Sequence, residues 1–210
     1  MNPLRGKRLV IFGCGCVGMV VYTSSTSVYP QTGGMVIDET ASTEGAGEYG
    51  RVLIDAEAML QEAGQAYRRW FILRLAGICG PARHHLLDQI RNGAAEMAGS
   101  GAHHLNLAHR DDIVAAIWAA FASPPSQGNR IFNVTDDAAA TKAEVVGWLA
   151  AKIGRTPPRF SGGAPSTRRG YAELADRLIN NARLKAELGW QPKYPSFREG
   201  YGQILDGLAS

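Results

Sequence analysis

Cysteine is scarce in this 210-residue chain, which has only three. The number is odd and no segment resembles a secretion signal, so we expect reduced thiols rather than a disulfide framework. Cys14 and Cys16 are close enough in sequence to supply two of the ligands of a metal site. No second pair stands at ligand spacing, so we expect no metal site.

Long apolar runs and an excess of one charge are also lacking. No apolar stretch reaches the roughly 18 residues of a membrane span, and Leu9–Phe12 is too short for the apolar part of a signal peptide. The 22 basic and 19 acidic residues give a formal charge of +3 without any run of like charges. We therefore expect a cytoplasmic protein with neither a membrane nor a nucleic acid as partner.

The hydrophobic content of 45% is that of a globular chain with one domain and a smaller lobe. Short runs rich in β-branched and aromatic residues predict strands at residues 8–12, 19–23, 70–75 and 130–134. Helical spacing predicts helices at residues 48–63, 86–91, 113–121, 142–153, 182–188 and 195–208. Asp111 or Asp112 is expected to cap the third helix, and Thr141 the fourth. Because strands and helices alternate, the predicted fold class is α/β.

A glycine motif, Gly13-x-Gly15-x-x-Gly18, follows the first predicted strand. After a strand, such a motif supplies a tight turn and a close backbone approach to a pyrophosphate held at a helix N-terminus. Asp38 stands 20 residues beyond Gly18 and is one candidate for the ribose partner. That interpretation needs a helix over residues 19–26, which are poor in helix formers. The alternative is a strand there.

Five ordered segments resemble motifs of one family, the extended short-chain dehydrogenases and nucleotide-sugar epimerases. Residues 22–29, Tyr-Thr-Ser-Ser-Thr-Ser-Val-Tyr, resemble its serine strand, and Asp38-Glu39 resembles the acidic pair that follows. Residues 73–81 resemble its R-x-x-x-I-Y-G-P turn, with Cys79 in place of tyrosine. The remaining matches are residues 109–113 with H-x-x-D-I, residues 132–136 with F-N-V-x-D, and residues 181–192 with the final helix and turn. The chain is similar in particular to the YeeZ-like atypical branch, often labelled NAD-dependent epimerase/dehydratase.

The resemblance implies a truncated Rossmann-like, doubly wound core with a small C-terminal substrate-type lobe. Residues 1–80 would form the truncated dinucleotide-binding core, and residues 81–210 the remaining core strands interleaved with the lobe. The implied cofactor is NAD or NADP, bound by Gly13, Gly15, Gly18 and Ser24. The implied substrate is a nucleotide sugar or a similar small alcohol or carbonyl compound.

The resemblance also implies catalytic residues. In the family a serine or threonine polarises the reacting oxygen, a tyrosine moves the proton, and a lysine four residues later shares the helix face of the tyrosine. Ser25 occupies the serine position and Tyr49 the tyrosine position, but Leu53 stands at the lysine position. Arg51 is on a different helix face, so we expect Tyr49 to be a poor base at neutral pH.

The main departure from the family is the first crossover. Only six residues separate the strand at 8–12 from the strand at 19–23, whereas parallel neighbours need about a dozen or more. The first strand must therefore pair antiparallel, take another edge or fail to order. We expect weak or no activity, and exposed strand edges that favour a homo-oligomer. The alternatives are a silent nucleotide- or partner-binding relative, or a truncated remnant, in which Ser24 and Ser25 only satisfy backbone groups.

Overall fold

The computed structural model describes residues 9–12, 18–63, 67–162 and 176–209. Its main sheet has four strands in the order β1-β2-β4-β9. These strands are β1 (Leu9–Phe12), β2 (Met19–Ser25), β4 (Arg69–Leu75) and β9 (Arg130–Val134). β2, β4 and β9 run parallel, and their carboxyl ends lie at one edge of the sheet.

β1 pairs antiparallel with β2, with Leu9 opposite Tyr22 and Phe12 opposite Met19. This is one of the three outcomes expected for the first strand. The connection is short enough for a hairpin and too short for a crossover helix. Residues 19–25 are therefore a strand and not the helix that a dinucleotide motif requires.

Two helices cover opposite faces of the sheet. Helix α1 (Glu48–Glu62) packs Leu60 against Val20 and Ile72 on one face. Helix α3 (Arg110–Ala122) packs Ala116 on the other face, where its small side chains allow close approach to the sheet. The predicted α/β class is confirmed by this helix–sheet–helix arrangement.

A second buried cluster lies in the C-terminal half and includes Leu87, Leu149 and Phe197. Its helices are α2 (His85–Arg91), α4 (Lys142–Lys152) and α6 (Phe197–Ala209), and the remaining helix is α5 (Ala182–Leu188). The remaining strands form two-stranded pairs. They are β3 (Met35–Ile37) with β12 (Arg177–Ile179), β5 (Gly77–Cys79) with β8 (Leu107–His109), β6 (Glu96–Met97) with β11 (Arg159–Phe160), and β7 (His104–Leu105) with β10 (Ala140–Thr141).

The helix caps agree with the sequence at α4 and differ at α3. Thr141 and Glu144 form a reciprocal capping box at the start of α4, as the sequence predicts. The prediction of Asp111 or Asp112 as the cap of α3 was wrong, because the side chain of His109 accepts from the Asp111 amide. The helix thus begins earlier, and Asp112 is free to accept from the backbone of the C-terminal segment.

Among the residues that the structure describes, none of the helices combines the length and the apolar character that a membrane span requires.

Candidate functional site at the carboxyl edge of the sheet

Three polar residues form one row across the parallel strands, close to their carboxyl ends. Ser24 of β2 lies opposite Arg74 of β4, which lies opposite Asn133 of β9. Side chains alternate between the two faces of a strand, so this row lies on the face covered by α1. Polar groups this deep in a sheet need partners, which the surrounding elements provide.

Ser25 is the last residue of β2 and caps the one-turn 3₁₀ helix Thr26–Val28. Its hydroxyl oxygen accepts from the Ser27 amide at 3.1 Å. The same hydroxyl donates to the Ser27 hydroxyl at 3.1 Å. Ser25 is half-buried, and its hydroxyl oxygen has accepted one hydrogen bond of the two that a hydroxyl can accept.

Gly50 brings the start of α1 close to this turn. A Cβ at Gly50 would lie 2.6 Å from the carbonyl oxygen of Ser27, which is closer than side-chain carbons approach backbone oxygens. Tyr49 precedes Gly50 and is 50% exposed. The contact of Gly50 with Ser27 therefore places the first turn of α1, which includes Tyr49, beside the turn that follows Ser25.

Leu53 lies one helical turn after Tyr49 and is 8% exposed. It packs against Val28, Tyr29 and Ile37 in a small apolar cluster. A lysine ammonium at this position would have to be desolvated inside that cluster. The apolar surroundings explain why leucine is accommodated at the position of the family lysine.

Ser24 has its hydroxyl engaged inside the protein. It donates to the carboxylate of Glu57 on α1 at 2.5 Å, and both side chains are buried. Arg74 donates to the same carboxylate through Nη2 at 2.7 Å and through Nε at 3.2 Å. This is a buried, bidentate ion pair, a geometry that fixes the relative positions of the helix and the strands.

The network continues from Arg74 to the far strand. Arg74 Nη1 donates to the Tyr29 hydroxyl at 2.9 Å, and that hydroxyl donates to Asn133 Oδ1 at 2.8 Å. The backbone N–H of Asn133 in turn donates to the Glu39 carboxylate at 2.7 Å. Burial raises the pKa of Tyr29 above its ordinary value, so this phenol stays protonated and structural.

Gly18 lies at the opposite end of β2 from Ser25. It directly precedes Met19, which pairs with Phe12, so Gly18 lies at the amino edge of the sheet. Seven residues of extended chain separate Gly18 from Ser25, a span of roughly 20 Å. Gly13, Gly15, Cys14 and Cys16 lie outside the described residues. Ser24 and Ser25 thus lie at the carboxyl end of β2, next to the first turn of α1, whereas Gly18 lies at the other end of the strand.

Asp38, the alternative ribose partner, follows β3. Its carboxylate accepts from the Thr40 amide at 2.8 Å and from the Thr40 hydroxyl at 2.6 Å. These bonds lower the pKa of Asp38, the hydroxyl contributing most. Asp38 is exposed and forms an Asx turn of its own.

A second group of titratable residues is buried where the sheet meets the C-terminal half. His109 packs its ring on Tyr194 with centroids 3.9 Å apart. Burial raises the pKa of Asp136 to about 7 and that of the Cys79 thiol to about 12. Cys79, which replaces the family tyrosine, is therefore an inert thiol at neutral pH.

Sequence reasoning missed Glu57, Arg74 and Ser27 as members of the site. A signal was available for the two charged residues. Glu57 directly follows Ala56 on the apolar face of the predicted helix, and Arg74 interrupts an apolar predicted strand. Two opposite charges in buried elements indicate an internal ion pair. Ser27 gave no such signal, since serine is common in turns.

Comparison with known proteins gives a family. The model of the NAD dependent epimerase/dehydratase family matches residues 9–135. Protein YeeZ of Escherichia coli (strain K12) is 32% identical over 177 residues, which cover 84% of this chain and 58% of that protein. The chain thus spans less than two thirds of the length of this curated relative.

Solved structures give the same fold. A putative NAD-dependent epimerase/dehydratase from Methylobacillus flagellatus is 30% identical with a TM-score of 0.68, covering 91% of this chain and 65% of that one. MoeE5, solved with UDP-glucuronic acid and NAD, is 20% identical with a TM-score of 0.76, covering 91% and 64%. The second likeness concerns the fold alone. Together they confirm the predicted Rossmann-like core.

The serine strand, the tyrosine helix and the parallel sheet thus occur in a chain whose sequence matches one family model over most of its length. The chain belongs to the NAD dependent epimerase/dehydratase family.

Proposed function

We propose that this chain is an NAD(P)-dependent epimerase/dehydratase-like oxidoreductase with weak or no turnover. Its substrate is a nucleotide sugar or a similar small alcohol or carbonyl compound. The nucleotide-sugar class is supported by MoeE5, whose structure was solved with UDP-glucuronic acid and NAD. The observation that carries the proposal is the contact of Gly50 with Ser27, which puts the first turn of α1, with Tyr49, beside the turn that follows Ser25.

Ser25 and Tyr49 have distinct roles in this proposal. The Ser25 hydroxyl turns its proton from Ser27 toward the reacting oxygen of the substrate and polarises it. The Ser27 amide keeps the Ser25 oxygen in place while the proton turns. The exposed Tyr49 hydroxyl exchanges a proton with the same substrate oxygen and then with solvent.

The proposed cofactor-binding residues do not all lie at one place in the fold. Gly13, Gly15 and Gly18 are the proposed binding residues, with Ser24 contributing through its backbone because its hydroxyl is engaged with Glu57. The described residues do not fit one continuous dinucleotide site, since Gly18 is roughly 20 Å of strand from Ser25. Low turnover follows, because reacting groups must be held in contact to react fast.

Cofactor binding is tested by thermal melting with NADH and NADPH at millimolar concentration. A ligand that binds the folded state raises the melting temperature, and quenching of tryptophan fluorescence provides a second readout. We expect a rise for at least one cofactor. No shift with either cofactor contradicts the proposal.

Turnover is tested with UDP-glucose and UDP-glucuronic acid, by nicotinamide absorbance for net oxidation and by NMR of the sugar for epimerisation or dehydration, in which the nicotinamide is not consumed. We expect a slow reaction that Ser25→Ala and Tyr49→Phe abolish. Tyr49→Phe should leave the melting temperature unchanged, whereas Ser25→Ala also removes the cap of the turn and should lower it slightly. The matched control is Tyr67→Phe, which removes a phenol oxygen away from the Ser25 edge and should leave the rate unchanged.

A catalytically silent nucleotide- or partner-binding relative is the second candidate. It is favoured by Leu53, which is buried in an apolar cluster where the family has a lysine, and by the position of Gly18. It predicts that UDP-glucuronic acid or NADH raises the melting temperature without any turnover. Turnover that disappears in Tyr49→Phe rules it out.

The remaining proposals concern the whole chain. We infer a cytoplasmic protein that associates into a homo-oligomer through exposed strand edges. We also infer a division near residue 80 between the truncated core and the part that carries the lobe. Light scattering at increasing concentration tests the first of these, and limited proteolysis tests the second.

A further inference from the structure

Arg177 links the C-terminal half of the chain to the turn after Ser25. It is the first residue of β12, and only 8% of its surface is exposed. Its Nη2 donates to the carbonyl oxygen of Thr26 at 2.9 Å, and its Nη1 donates to the carbonyl of Gln31 at 3.4 Å. A buried guanidinium thus joins the first carbonyl of the turn to the Gln31 carbonyl, three residues beyond the end of the turn.

One peptide unit connects Arg177 to the Ser25 hydroxyl. The Thr26 carbonyl and the Ser27 amide belong to the same planar group and point in opposite directions. Arg177 holds the carbonyl, and the amide donates to Ser25 Oγ at 3.1 Å. Fixing the carbonyl therefore fixes the direction of the amide. A charged donor on the carbonyl also polarises the peptide group and strengthens its amide as a donor.

The turn needs such support, because its own structure is weak. It is a single 3₁₀ turn of three residues, whose hydrogen-bond geometry is poorer than that of an α-helix. Its main internal bond, from the Tyr29 amide to the Thr26 carbonyl, is 3.2 Å long. Arg177 adds a shorter bond to the same carbonyl oxygen.

Arg177 is itself held firmly. β12 pairs parallel with β3, with Arg177 opposite Met35. The Asn106 side chain forms two hydrogen bonds with the backbone of β12. Its Nδ2 donates to the Arg177 carbonyl and its Oδ1 accepts from the Ile179 amide, both at 2.8 Å. The backbone at Arg177 is therefore held by β3 and by Asn106.

We propose that Arg177 is a positioning residue for Ser25, which acts through the Thr26–Ser27 peptide unit. The proposal rests on the proposed function only in so far as Ser25 is the reacting hydroxyl. The link between Arg177 and the peptide unit can be measured without cofactor or substrate, so its failure is distinguishable from the failure of the proposed function.

The experiment measures hydrogen exchange of the Ser27 amide by NMR in Arg177→Leu and Arg177→Lys. Loss of one charge-assisted bond should speed this exchange about tenfold in Arg177→Leu. Arg177→Lys keeps one donor and should restore most of the protection. If Arg177→Leu does not fold, Arg177→Lys alone should show a smaller increase at Ser27. The proposal is overturned if the Ser27 amide exchanges as slowly as in wild type in every variant that folds.

Arg69→Leu is the matched control. Arg69 also donates to backbone carbonyls, those of Ser123 at 2.8 Å, Pro124 at 2.9 Å and Gln127 at 3.2 Å, but at the amino end of β4. Its loss should lower global stability and leave the exchange of Ser27 relative to the sheet amides unchanged. An equal loss of Ser27 protection in both leucine variants shows general destabilisation and overturns the proposal.

A double-mutant cycle separates positioning from a merely structural role. In Ser25→Ala the Ser27 amide has already lost its acceptor, so adding Arg177→Leu should change its exchange much less than in wild type. Additive effects would show that Arg177 does not act on Ser25 through this amide. If turnover is found, Arg177→Lys should lower kcat more than it raises KM, because the substrate still binds while Ser25 is less well oriented.

Discussion

At the scale of single residues, buried charges hold the candidate site together. The carboxylate of Glu57 receives hydrogen bonds from Ser24 and Arg74, and both members of the ion pair are almost fully buried. Such a pair adds little stability compared with apolar packing, but removing one partner leaves an uncompensated charge. The pair therefore serves to fix α1 over the strands.

Glu57→Gln tests the ion pair. The change leaves the Arg74 guanidinium buried without its counter-charge, so we expect the free energy of unfolding to fall by about 3–5 kcal/mol. Urea denaturation provides the measurement. Glu62→Gln on the exposed side of the same helix is the control and should change stability by less than about 0.5 kcal/mol. Equal effects would contradict the structural role of the pair.

Asp136 predicts a pH dependence of stability. Burial raises the pKa of its carboxyl to about 7, above an unfolded value of about 3.9. The folded state thus holds the proton more tightly, and the contribution of this group falls as pH rises from about 4 to about 7. Urea denaturation of Asp136→Asn and wild type at pH 5 and pH 8 tests this. The free energy of unfolding of the variant, relative to that of wild type, should be higher at pH 8 than at pH 5. The same difference at both pH values would show that the carboxyl is not desolvated.

At the scale of elements, one helix contact sets how closely the first turn of α1 approaches the turn that follows Ser25. Apolar spacing predicts a helix at residues 48–63, and the structure has α1 at Glu48–Glu62. Spacing alone did not show that the first turn of this helix lies against the Ser27 carbonyl. That approach depends on the missing side chain of Gly50.

Gly50→Ala should push α1 away from the serine turn. The new methyl group would lie 2.6 Å from the Ser27 carbonyl oxygen, and relief of this overlap should cost about 1–3 kcal/mol of stability. Gly147→Ala in α4 is the control, because nothing lies within 4 Å of its Cβ position. There alanine should stabilise the helix by about 0.5–1 kcal/mol. Thermal or urea unfolding measures both variants, and a stabilised Gly50→Ala would contradict the contact.

At the scale of the whole molecule, the direction of β1 sets the edge of the sheet at which this strand ends. In an antiparallel pair Leu9 lies opposite Tyr22, whereas a parallel pair in the same place would put Leu9 opposite Met19. The two arrangements place Phe12, the last residue of β1, at opposite ends of β2. Only the parallel arrangement would put Phe12 near the end of β2 that carries Ser25.

Cysteine cross-linking distinguishes the two arrangements. In a background with serine at the three native cysteines, Leu9→Cys with Tyr22→Cys should form a disulfide readily, because paired strand residues have Cβ atoms about 4.5–5.5 Å apart. Leu9→Cys with Met19→Cys is the control and should not oxidise under the same conditions. Mass spectrometry after mild oxidation gives the yields, and the reverse result would establish a parallel strand.

The sequence by itself determined the local elements and the family. Apolar periodicity predicted the strands at residues 70–75 and 130–134 and the helix at residues 48–63, because these signals depend on neighbours within a few residues. The serine strand and the place of Tyr49 followed from motifs. The shortness of the first connection limited β1 to three outcomes.

Only the tertiary structure decided among those outcomes and assembled the site. Two of the contacts join residues that are distant along the chain, namely the Glu57–Arg74 ion pair and the hydrogen bond from Arg177 to the Thr26 carbonyl. The third is the antiparallel pairing of β1, a strand that could have paired in several ways. Such contacts depend on how the sheet and helices pack, which local sequence does not encode. For the same reason Gly18 and Ser25, which are only seven positions apart in sequence, lie at opposite ends of one strand.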